Sequence, residues 1–185
     1  MNRYEEEYLL NKEMLDKEGK TNRFDFVLQY LEAGDRILEV GCANGNLAKY
    51  IPENISYFGI DISERAIEDA IKSYPKMFFM NTDILEFDAV SPSYDKIISI
   101  ETLEHVDDLP IVLDKIFSLL RSGGMFIFTV PRKDMIPYHD HKYYFDANAL
   151  KLIGEKYAKN YYFTKLKKYN EIPIECLYGC IMEKR

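Results

Sequence analysis

The chain has 185 residues, 47% hydrophobic and 30% charged, the balance of a globular domain with enough interior to fold without a metal or disulfide staple. A net charge of −7 argues against a broad nucleic-acid footprint, because neutralising a phosphate backbone takes clustered Lys and Arg. Cys42, Cys176 and Cys180 form no CxxC pair, which disfavours a zinc ribbon and points to a reducing compartment.

No apolar run approaches the roughly 20 residues of a membrane span, and the charged N-terminus lacks the apolar stretch of a signal peptide. The expectation is a cytoplasmic, single-domain protein over 1–185 with no membrane partner. Residues 1–20, with Tyr8, Leu9 and Leu15 among charges, read either as a helix closing over a site or as a mobile arm. Phe24, Val27, Leu28 and Leu31 recur at helical spacing, and Gly34 is placed to close that helix. Arg36 to Val40 reads as a buried strand, followed by the turn GCANGN and a predicted helix from Leu47.

A second strand runs from Ser56 to Asp61, and Ser63 can cap a helix whose Ala66, Ile67, Ala70, Ile71 and Tyr74 share a face. Met77 to Met80 and Lys96 to Ile100 are the third and fourth strands. Leu109, Val112, Leu113, Ile116, Phe117 and Leu120 mark the clearest amphipathic helix, and Met125 to Val130 forms a fifth strand stopped by Pro131. A helix from about Ala147 leads to two strand-like runs, Tyr161 to Tyr169 and Glu175 to Met182, joined through Pro173 and spaced to pair as an antiparallel hairpin. The basic run Lys165 to Lys168 reads as a solvated face. The alternation predicts an α/β fold: a Rossmann-like, seven-stranded, mostly parallel sheet with an antiparallel C-terminal edge strand and helices on both faces.

The turn after the first strand narrows the ligand. A dinucleotide fingerprint starting at Gly41 would need glycine at Ala43 and Asn46 and finds neither; the pattern G-x-G-x-G finds Gly41 and Gly45 but Ala43 between them. Asp61 ends the second strand about 20 residues after Gly41, where a carboxylate can accept both hydroxyls of an adenosine ribose. Asp83 follows the third strand at the same sheet edge, placed to meet an adenine amino group. Four segments, ILEVGCANGNLAKYI, YFGIDIS, YDKIISIETLEHVDD and LLRSGGMFIFTVP, resemble the class I S-adenosylmethionine-dependent methyltransferases in order and spacing, over roughly residues 20–183.

The resemblance implies S-adenosyl-L-methionine as cofactor. It places Glu39, Gly41 and Gly45, with Cys42 and Ala43 of the same turn, around the methionine part, and Asp61 on the ribose with Ile62 against the adenine. Asp83 and Ile84 would read the adenine edge, and Ile100 and Glu101 would flank the sulfonium. Ala43 departs from the family's usual glycine, and is expected to fit if its φ stays negative.

Methyl transfer is a displacement accelerated by alignment and by exclusion of water; a base is needed only when the acceptor arrives protonated. Glu101, Glu104 and His105 share one face of a helical turn, and His139 and His141 alternate in PYHDHKYYF, beside Tyr138, Tyr143, Tyr144 and Phe145. The favoured reading has no metal: His105 or His141 is the general base, Glu101 faces the acceptor, the aromatic residues wall the pocket, and the acceptor is a small molecule methylated at O or N. One alternative is a divalent metal on Glu101, Glu104, His105 and His141 or His139, a pattern similar to that of small-RNA 3′-terminal 2′-O-methyltransferases. Another is a non-catalytic interaction module on the same fold.

Overall fold

The computed structural model describes residues 3–17, 19–88, 93–135, 141–167 and 174–185. Tyr138, His139, Lys168, Tyr169 and Pro173 lie outside them. The described strands are β1 (Arg36–Val40), β2 (Ser56–Asp61), β3 (Phe78–Asn81), β4 (Tyr94–Ile100), β5 (Leu120–Pro131), β6 (Ala158–Leu166) and β7 (Leu177–Lys184). They form one seven-stranded sheet in the order β3-β2-β1-β4-β5-β7-β6. β1 to β5 run parallel. The C-terminal hairpin supplies the expected antiparallel edge, with β7 pairing antiparallel to both β5 and the outermost β6.

The helices are α1 (Arg3–Lys17), α2 (Asn22–Leu28), α3 (Glu64–Ser73), α4 (Leu109–Leu119) and α5 (Ala147–Tyr157). Alternate strand residues serve opposite faces. Leu38, Ile97, Phe126 and Phe128 pack toward α4 and α5, whereas Ile37, Ile98 and Ile127 pack toward α2. On α4, burial of Val112, Leu113, Ile116 and Phe117 stabilises the layer by roughly 1.5–3 kcal/mol per side chain. Side chains at three helix starts accept the first unpaired amides: Ser63 from Ala66, Asp108 from Ile111 and Asp146 from Ala149. Among the described residues no helix is long and apolar enough to cross a membrane.

Two local expectations are corrected. α2 stops at Leu28, well short of Gly34; Asp35 captures the Glu32 N–H at 2.8 Å and diverts the backbone from helical bonding. Gly34, at φ +88°, instead shapes the loop and donates its N–H to the Asn54 carbonyl at 2.9 Å. The helix predicted from Leu47 is only a 3-10 turn, Ala48–Tyr50. Pro52 biases the residue before it toward extended backbone, and Ile51 sits at φ −75°, ψ 126°.

Candidate active site

The sheet order reverses between β1 and β4, and at such a switch point the strand tips diverge into a crevice. A cavity of about 600 Å³ opens there, within the roughly 300–1,000 Å³ of small-molecule sites. Its floor is the turn after β1. Gly41 has φ +77°, and a Cβ there would lie 2.3 Å from Thr102 Oγ1, so only glycine lets this turn meet the loop after β4. Gly45 has φ +79°, and its Cβ would come within 2.9 Å of the Phe79 ring. Ala43 between them has φ +45°, so the condition for an easy fit, a negative φ, is not met: the turn keeps the left-handed geometry a glycine would take, with alanine bearing the strain.

Asp61 ties this turn to β2. One carboxylate oxygen accepts the Ala43 N–H and the other the Ser63 N–H, both at 2.9 Å. Burial raises its pKa above the usual carboxylate range, while those two donors oppose the rise. Below it, Glu39 is 3% exposed and accepts a hydrogen bond from the Tyr57 hydroxyl. Burial pushes the Glu39 carboxyl up to about 8. Cys42 is buried, which drives its thiol well above the ordinary value.

Ile62, Ile84, Ile100 and Asp83 also line the cavity. The Asp83 carboxylate accepts the Leu85 N–H at 2.9 Å, so it shapes its own turn as well as the rim. Glu101 carries φ +48° and receives a hydrogen bond from Arg23 of α2, a residue the sequence reading missed. Arg23 follows no motif, and its partner lies 78 positions away.

At the far end of the cavity Glu104, His105 and His141 converge. One ligand-type atom from each lies within 4.8 Å of the others, and the imidazoles meet edge-on with centroids 5.0 Å apart. The Lys142 and Tyr143 N–H groups donate to the Glu104 carbonyl at 2.8 and 3.2 Å, holding the His141 segment against the loop after β4. Glu101 is not in this group, so the four-ligand set expected of a metal site is brought together only in part. The expected aromatic wall is also revised: Phe145 is buried in the core, and the Tyr143 hydroxyl accepts the Leu109 N–H at 3.1 Å. Tyr144 lies near His141, with centroids 6.1 Å apart. Tyr4, Tyr8 and Phe24 line the cavity instead.

α1 lies over the cavity and contributes Tyr4, Glu7, Tyr8 and Asn11 to its lining. Glu5 accepts the Glu64 N–H at 2.6 Å and the Ser63 hydroxyl at 3.2 Å, adding a carboxylate to the α3 N-terminus. The Tyr8 hydroxyl donates to Asp69 at 2.7 Å, and the Asn46 amide donates to the Leu15 carbonyl at 2.7 Å. At the other end Arg3 donates to the His105 carbonyl at 2.7 Å, and Glu7 Oε1 stands 3.2 Å from His105 Nδ1.

A sheet of this order with a cavity at its switch point defines a Rossmann-like α/β fold. Residues 16–168 match the family described as a methyltransferase domain, and the chain belongs to that family. It is 27% identical over 124 residues to a ubiquinone biosynthesis O-methyltransferase of Vibrio atlanticus (strain LGP32), covering 63% of this chain and 52% of that protein. It is 33% identical over 99 residues to an O-methyltransferase of Pyrenophora dematioidea, covering 49% and 37%. The matched stretch thus spans about half or less of these relatives. Among solved structures, the N-methyltransferase NodS from Bradyrhizobium japonicum WM9 superposes with a TM-score of 0.72 at 19% identity, covering 88% of this chain and 93% of that one. At that identity the likeness speaks for the fold.

Proposed function

We propose that the protein is an S-adenosylmethionine-dependent methyltransferase acting on an oxygen or nitrogen of a small molecule. The observation that carries this is the left-handed Gly41-Ala43-Gly45 turn clasped by Asp61 at the tip of β2. The residues fit the cofactor: Gly41, Cys42 and Ala43 of the turn line the cavity together with carboxylates and an arginine, which suits a zwitterion. When bound, the cofactor supplies a methyl group made electrophilic by its sulfonium. Glu39, Gly41, Cys42, Ala43 and Gly45 would hold the methionine part, Asp61 and Ile62 the ribose and adenine face, and Asp83 and Ile84 the adenine edge. Ile100 and Glu101 would flank the transferring methyl.

The chain's own contribution is alignment and dryness, with α1 closing the cavity from above. His105 and His141, at the far end of the cavity, would take the proton from a hydroxyl or ammonium acceptor, a role suited to imidazole near neutral pH. The O-methyltransferase relatives and the net charge of −7 support a small acceptor over nucleic acid. Three free cysteines fit a reducing, cytoplasmic setting.

Calorimetry with S-adenosylhomocysteine tests the assignment. The wild type is expected to bind, and Asp61→Asn to bind at least tenfold more weakly; a flat trace from folded wild type refutes the reading and favours a non-catalytic module. With saturating cofactor, His105→Ala or His141→Ala should slow turnover by about 10²–10⁴, and wild-type rates in both remove the base. The convergence of Glu104, His105 and His141 favours one second reading, a divalent metal at the acceptor end as in the RNA 2′-O-methyl transfer alternative. Carboxylate with imidazole suits Zn, Mn or Fe. Stoichiometric metal in the purified protein supports it, and metal-free active protein discards it.

A further inference from the structure

We propose that Glu7 of α1 is a positioning residue for the His105 imidazole: it accepts the Nδ1 proton, so that Nε2 is the nitrogen left to take a proton from the acceptor. The inference deepens the proposed function, since it rests on His105 being the base. Glu7 Oε1 stands 3.2 Å from His105 Nδ1, with the two side chains only 25% and 19% exposed. On the other side of the ring, Nε2 is 3.9 Å from Glu104 Oε1, beyond hydrogen-bond range. The His141 ring meets the His105 ring edge-on, and all four residues line the cavity.

A neutral imidazole carries one N–H and one lone pair, and the partner of one nitrogen decides which atom has which. A proton on Nδ1 has an acceptor oxygen within reach. With the proton on Nε2 instead, the Nδ1 lone pair would face that oxygen at 3.2 Å, and the Nε2 proton would find Glu104 too distant to bond. The site therefore favours the tautomer opposite to the one free histidine prefers in water. The placement of Glu7 is itself built. Glu5 and Tyr8 are the buried residues of α1; they tie it to α3 through the Glu64 N–H at 2.6 Å and Asp69 at 2.7 Å. Arg3, four residues before Glu7 and on the same helix face, donates to the His105 carbonyl at 2.7 Å. One helix thus grips both the backbone and the ring of a single residue. The base is complete only when α1 is docked, which couples proton acceptance to closure over the cavity.

Nitrogen NMR of isotope-labelled protein tests this directly, because couplings between ring protons and ring nitrogens distinguish the tautomers and the chain has three histidines. Spectra are taken at about pH 8.5, above the ordinary imidazole range, with a chelator present so that no metal on the ring sets the tautomer. The His105 signals are assigned by their absence from His105→Gln. The wild type should carry the His105 proton on Nδ1, and Glu7→Leu should move it predominantly to Nε2. Glu7→Gln, whose amide oxygen can still accept, should keep most of the Nδ1 form; a merely structural role for Glu7 would leave the tautomer unmoved in every variant. A proton on Nε2 in the wild type, or an unmoved tautomer in Glu7→Leu, overturns the assignment, and the wild-type spectrum decides it even if the leucine variant does not fold. Failure of the proposed function shows separately, as a flat S-adenosylhomocysteine titration of folded wild type whatever the tautomer.

Discussion

Glu39 offers a direct test of the electrostatics beneath the site. Burial raises its carboxyl from the ordinary 4.5 to about 8, against the opposing hydrogen bond from Tyr57. Between those two values the folded protein holds a proton that the unfolded chain has released, so stability falls as pH rises through the window. The contribution is fully present below about 4.5 and lost through about 8. At 1.36 kcal/mol per unit, a rise of this size corresponds to a loss on the order of 3 kcal/mol by neutral pH. Glu39→Gln keeps an acceptor for the Tyr57 hydroxyl and cannot ionise, so it lacks this slope. Urea unfolding of both proteins at pH 5.5, 6.5 and 7.5 should show the variant gaining about 1 kcal/mol on the wild type per unit. In thermal melts that gain corresponds to roughly 2–4 °C per kcal/mol for a domain of this size. Parallel stability curves for the two proteins would mean that Glu39 titrates normally, and that the account of its burial is wrong.

Other expectations follow from the same turn and its roof. Ala43→Val places a β-branched residue at a positive φ and should cost about 1–3 kcal/mol, whereas Ala43→Gly should fall within about 0.5 kcal/mol of wild type, relief of strain offsetting added chain entropy; equal stability of all three proteins in denaturant melts contradicts the left-handed geometry. Gly45→Ala meets the Phe79 ring at 2.9 Å and should lower both melting temperature and S-adenosylhomocysteine affinity; unchanged values for both would show that the ring moves aside freely. Glu5→Ala removes two contacts at the start of α3 and should speed limited proteolysis within α1, with S-adenosylhomocysteine restoring protection; wild-type cleavage rates would show that these contacts do not hold the roof.

What the sequence revealed about this fold and site tracks how local each determinant is. The apolar spacing of α4 and the Ser63, Asp108 and Asp146 caps act within a few residues, so periodicity and cap chemistry expose them. The glycine turn and the carboxylate at the end of β2 are likewise separable signals on one strand–turn–strand unit, and they narrowed the ligand. The strand–helix alternation gave the fold, and four segments in order carried the family resemblance. The 3-10 turn after Gly45 was legible in principle, since Pro52 was in view, but the apolar run Leu47-Ala48 reads equally as the start of a helix. Ala43 was different: its φ is set by the bond from its N–H to Asp61, and no propensity of alanine announces it.

The roof and the Arg23–Glu101 pair depend on distance in the chain. Glu5 meets the start of α3 across 59 positions and Arg23 meets Glu101 across 78, separations over which sequence patterning carries no signal. A charged residue at the start of a short helix is ordinarily solvated; Arg23 is buried because α2 packs where the loop after β4 closes the cavity. That same tertiary placement draws Glu101 toward Arg23 while Glu104 and His105, three and four positions on, turn to His141. The turn therefore divides its charges between two ends of one cavity. On the proposed function the two ends should respond differently to substitution: Arg23 variants in cofactor affinity, His105 and His141 variants in turnover at saturating cofactor. A cofactor affinity that followed the histidines as closely as it followed Arg23 would contradict this division.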